Sequence, residues 1–102
     1  MISIRATVTA SSPRNGFFEL NQRIRRFPSV AMGGRQLIVR LPGAGSVVVT
    51  SEENALEFDA IASSLADAPS VVAALEDLIS DAGRDTLSIR WSELPHVPVA
   101  LR

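Results

Sequence analysis

Arg35-Gln36-Leu37-Ile38-Val39-Arg40-Leu41-Pro42-Gly43-Ala44-Gly45-Ser46-Val47-Val48-Val49-Thr50 is two β-rich runs about a four-residue loop. Leu, Ile and Val dominate 35–41, and β-branched residues fill 46–50. Pro42-Gly43-Ala44-Gly45 has the composition of a hairpin connection. The stretch therefore predicts an antiparallel hairpin, and the rest of the chain is read outward from it.

Toward the C-terminus, Thr50-x-x-Glu53 fits a capping box. It predicts a helix over 52–66 with an apolar stripe of Ala55, Phe58, Ile61, Ala62 and Leu65. Asp67-Ala68-Pro69 closes that helix and opens the next, because proline is tolerated in a first turn whose N–H groups are unpaired. The next helix covers 70–82 and stops at Gly83. Val71, Val72, Leu75, Leu78 and Ile79 share one of its faces, and Glu76, Asp77 and Asp81 share the other. Thr86 to Trp91 alternates as a strand, and Pro95 and Pro98 leave 94–102 extended or loose.

Toward the N-terminus, Gly33-Gly34 reads as a break. Residues 17–27 fit two patterns. Phe17, Leu20, Ile24 and Phe27 have helical spacing, whereas Phe18, Leu20 and Ile24 fit a broken alternation after the Asn15-Gly16 turn. Propensity favours helix, ended by Pro28. Ser11 to Gly16 is turn chemistry, and Ile2 to Thr9 alternates strictly, as a strand with one buried face does.

Together these predict one α+β domain over 1–102: an antiparallel sheet of about four strands with helices packed on one face. Leu87-Ser88-Ile89-Arg90 echoes Ile2-Ser3-Ile4-Arg5, which places Arg5 and Arg90 opposite the apolar residues of their strands. With Arg40 among them, the open face of the sheet is expected to be basic.

Charge is distributed unevenly. Of ten arginines, seven lie in residues 1–50 beside a single acid, Glu19, while residues 51–102 hold three arginines and ten acids. The net charge of −1 hides this, and the asymmetry predicts surfaces of opposite sign that attract different partners.

Several classes of chemistry are excluded by what is missing. Without cysteine there is no disulfide, thiolate nucleophile or usual zinc cage. Without lysine there is no Walker-type phosphate lysine and no Schiff base; a GC-rich genome explains the arginine-only composition. His96 is the one histidine, lies between two prolines and has no motif partner, and no Gly-x-Ser-x-Gly elbow occurs. No catalytic residue, metal ligand or cofactor is expected. Met1 to Val8 lacks a signal-peptide pattern and no stretch approaches the ~20 apolar residues of a spanning helix, so the expectation is a cytoplasmic, non-membrane protein.

Two surfaces remain as candidates. Arg23, Arg25 and Arg26, interleaved with Phe17, Phe18 and Phe27, have the makings of a nucleic-acid contact. The other is acidic. Asp77 and Asp81 are four residues apart and approach the negative end of their helix dipole, both locally unfavourable. Compensation by Arg84 is one account of them; the other, taken here as the expectation, is that an acidic face of Glu76, Asp77 and Asp81, joined by Glu57 and Asp59, meets a basic protein surface.

Asn54-Ala55…Ile61-Ala62…Ala68-Pro69-Ser70-Val71-Val72-Ala73-Ala74-Leu75-Glu76-Asp77-Leu78-Ile79 resembles the helical tail common among short phage-encoded proteins of unassigned function. It departs by extra residues between Ala55 and Pro69 and by Val71-Val72 where that pattern favours Leu. The resemblance implies a mobile-element origin and a non-enzymatic accessory protein that occupies and inhibits a host protein or ribonucleoprotein complex, CRISPR effectors included. It supplies no functional residue.

Overall fold

The structure, a computed structural model, describes residues 2–11, 17–83 and 86–94. The elements are β1 (Ile2–Ala10), α1 (Phe18–Ile24), β2 (Ser29–Gly33), β3 (Gln36–Leu41), β4 (Gly45–Ser51), β5 (Ala55–Ala62), α2 (Ala68–Gly83) and β6 (Leu87–Leu94). Six strands form one antiparallel sheet in the order β2-β3-β4-β5-β1-β6. Both helices lie on one face, α2 over β5 and β6 and packed against α1.

Alternation decides which side chains enter the core. Val8 opposes Leu56, Ala6 opposes Phe58, and Phe58 opposes Val49, so one parity of three neighbouring strands faces the helices. These residues are buried together with Val39 and Val47 from the hairpin, Leu20 and Ile24 from α1, and Val71, Leu75 and Ile79 from α2. Leu78, Ile2, Leu87, Ile89 and Trp91 pack around this cluster, partly buried.

The hairpin forms as its sequence predicts, with Gly43 at φ 82° and Gly45 at φ 71° supplying left-handed backbone that costs a Cβ-bearing residue energy. Residues 17–27 resolve as helix over Phe18–Ile24, ending before Pro28, with Leu20 and Ile24 four apart on the buried side. At the start of α2, Ser64 and Asp67 cap each other. The Asp67 N–H donates to Ser64 Oγ at 3.3 Å, and Ser64 Oγ donates to Asp67 Oδ2 at 3.2 Å. No helix among the described residues is long and apolar enough to cross a membrane.

The expected helix over 52–66 is not there. Residues 55–62 are instead strand β5, inserted between β4 and β1. Leu56, Phe58, Ala60 and Ala62 are buried at period two, and two of them, Phe58 and Ala62, also belong to the helical stripe, which makes the segment readable either way. Its alanines, leucine and glutamate favour helix, but as a strand it gives both neighbours a bonded partner and places Phe58 wholly inside the core. Leu65, expected in the core, falls in the turn before α2 and is 78% exposed. The other unforeseen strand is β2, so the sheet has six strands rather than about four.

The open face is not simply basic either. Arg5, Arg40 and Arg90 share it by register, but so do Glu57 and Asp59, and Arg5 is bound to both. The expected turn at residues 12–16, His96 and the tail after Leu94 lie outside the described residues.

Candidate functional site

Among the described residues, the arginines of the first half and the carboxylates of the second come near each other in two places, and these differ in kind. The first is on the open face of the sheet. The antiparallel register sets Arg5 of β1 directly opposite Asp59 of β5. Arg5 Nε donates to Asp59 Oδ1 at 2.7 Å and Nη2 to Asp59 Oδ2 at 3.2 Å, a bidentate fork. Arg5 Nη1 reaches Glu57 Oε2 at 2.9 Å. The Asp59 hydrogen bond, opposed by partial burial and helped by the charges of Asp59, Glu57 and Glu52, raises the Arg5 pKa above its ordinary value. Asp59 is only 4% exposed. Glu57 and Asp59 therefore do not extend the acidic face of α2: they sit on the far side of the sheet and are neutralised there.

The second meeting place is a cleft of about 590 Å³ between α1 and α2. Helical periodicity builds one wall, since Ser70, Ala73, Ala74, Asp77, Leu78 and Asp81 recur along one face of α2. Arg23 from α1 and Arg26 from the turn after it form the other wall. Phe27, with Leu41 and Pro42 of the hairpin, supplies an apolar floor. The hairpin approaches closely here, because a Cβ built on Gly43 would stand 3.2 Å from Ala74 Cβ.

Four of the predicted site residues, Arg23, Arg26, Asp77 and Asp81, thus line one cavity. Among the described residues no ion pair crosses it. Arg23 has only a weak i,i+4 approach to Glu19, 3.9 Å from its Nε, and that Nε is buried without a hydrogen-bond partner. Asp77, Asp81 and Arg26 are exposed. Glu76 is exposed on α2 but does not line the cleft, nor does the exposed Arg25.

Sequence reasoning separated these residues into two rival sites because they are some fifty positions apart. The available signal was the spacing 70, 73/74, 77/78, 81 on α2, which marks a face flanking the buried one. Nothing in the chain forecast that Leu41 and Pro42 close the floor.

The arrangement offers binding chemistry. Its cations and carboxylates are separated by apolar surface, and its volume falls within the range typical of ligand sites, roughly 300–1,000 Å³. Among the described residues no group of three or more His, Cys, Asp or Glu side chains is placed to hold a metal ion. No family model, curated protein or solved structure matches the chain.

Proposed function

We propose that this is a non-enzymatic interaction protein that takes a segment of a protein partner into the cleft between α1 and α2. One observation carries the reading: Asp77 and Asp81 face the same cavity as Arg23 and Arg26, across an apolar floor, without pairing to them. Carboxylates that weaken their own helix and face the cleft without an ion pair among the described residues fit a basic partner group. The unpartnered Arg23 Nε fits an acceptor on the same segment. An amphipathic segment with a basic side facing α2 and a carbonyl or carboxylate facing α1 satisfies both walls.

The narrower reading, inhibition of a host complex such as a CRISPR effector, rests on the resemblance of residues 54–79 alone. That segment spans strand β5 as well as helix α2. Nucleic-acid binding through Arg23, Arg25 and Arg26 is the weaker alternative, because Asp77 and Asp81 across the cleft repel a phosphate backbone.

The test is a double charge reversal, Asp77→Arg with Asp81→Arg, in quantitative affinity capture from host lysate. A partner held by the native protein and lost from the variant is the expected outcome. Equal capture by both would show that the acidic wall is only solvated. In a parallel titration with duplex DNA, no complex is expected at physiological salt. A salt-sensitive complex abolished by replacing Arg23, Arg25 and Arg26 would transfer the function to nucleic acid.

A further inference from the structure

The two edges of the sheet are unlike. β6 carries Arg90 and Glu93 and is followed by Pro95, the features that discourage an edge strand from pairing further. β2, Ser29-Val30-Ala31-Met32-Gly33, has no charge of its own and is exposed throughout, with Val30 66% and Met32 40% exposed.

Its free hydrogen-bonding groups can be assigned from the register. The Arg40 N–H donates to the Pro28 carbonyl at 3.0 Å. With Ser29 opposite Val39 and Val30 opposite Ile38, Val30–Ile38 is then a bonded pair. The N–H and C=O of Ser29 and Ala31 therefore point away from β3 toward solvent. The irregularity between Ala31 and Gly33 ends the regular run, which confines the open ladder to these two residues.

The surroundings are basic at both ends. Arg25 and Arg26 precede the strand, Arg35 follows it, and all three are exposed. Antiparallel pairing of β2 with a second copy of itself, Ser29 against Ala31, would set the end that follows Arg25 and Arg26 in each copy beside the end that precedes Arg35 in the other, so like charges oppose it.

We propose that the β2 edge is a second binding site, which accepts an extended segment of a protein partner by strand addition, antiparallel to β2. That segment carries apolar residues beside Val30 and Met32 and Asp or Glu toward its ends. Backbone pairing to Ser29 and Ala31 gives the binding, and the flanking arginines select the charge.

The probe is a nine-residue synthetic peptide with a Val-Thr-Val-Thr-Val centre and two acidic residues at each end, against a control with lysines in their place. Binding is followed by amide resonances and hydrogen exchange of the full chain. The acidic peptide is expected to shift and protect the Ser29 and Ala31 amides, and to bind at least about tenfold more tightly than the lysine peptide at low salt, a preference that added salt narrows. Ala31→Pro removes an outward N–H while sparing the Val30–Ile38 bonds, and should abolish the effect. Should that variant fail to fold, the amide shifts of the native chain still decide. Equal affinity for the two peptides, absence of binding, or shifts centred away from β2 would overturn the proposal. So would concentration-dependent dimers that Arg25→Glu strengthens, since the occupant would then be a second copy.

Discussion

Arg5 with Asp59 and Glu57, and Arg23 and Arg26 with Asp77 and Asp81, are built from the same residue types, yet one set is closed and the other open. On the sheet, strand register holds guanidinium and carboxylate directly opposite each other, every short approach is made, and Asp59 is buried. In the cleft the charges stand on α2 and on α1 with the turn after it, kept apart by apolar residues, and none pairs across. Opposite charges that a fold brings near without joining are available to something else. That distinction, and not the number of charged residues, separates a structural cluster from a candidate interface.

The comparison breaks most visibly at Arg5. Arg5→Ala strands a buried carboxylate and should cost about 3–5 kcal/mol in denaturant unfolding. Combining it with Asp59→Leu should recover much of that loss, because the desolvated charge is gone. If Arg5→Ala unfolds at the native denaturant midpoint, the sheet cluster is no more structural than the cleft.

Leu75 is fully buried behind the cleft wall on α2. Leu75→Ala should lower stability by about 2–5 kcal/mol. The cleft itself is sharpened by Gly43→Ala, which puts a side chain into left-handed backbone at φ 82° and against Ala74. A loss of about 1–2 kcal/mol is expected from the backbone alone. A variant as stable as the native protein would mean that neither the left-handed turn nor the approach to Ala74 constrains the hairpin tip.

The smallest effect is also opposite in sign. Asp77→Arg with Asp81→Arg removes a like-charge pair near the negative end of the α2 dipole, so thermal unfolding should be unchanged or show a gain of up to about 1 kcal/mol. Marked destabilisation would mean that these carboxylates hold the fold together, and the contrast with Asp59 would vanish.

The alternating strands β1 and β6, the hairpin of β3 and β4, and helix α2 were legible because each has a local cause: period-two alternation, a glycine-rich turn, or an apolar stripe closed by proline and glycine. The same stripe leaves Glu76, Asp77 and Asp81 exposed on α2, but that only Asp77 and Asp81 line the cleft was not legible. Ala55 to Ala62 was not, since Phe58 and Ala62 satisfy both periods and its composition favours helix; the vacancy between β4 and β1 decided for strand. That choice moved Glu57 and Asp59 off the acidic face and into the grip of Arg5. A sequence can state how each segment is patterned, but the two charge-rich halves interleave only in the sheet order, where β1 lies between β5 and β6. Which charges neutralise one another is set by that register and by helix packing, because electrostatic pairing depends on distances of a few ångströms that no local pattern encodes.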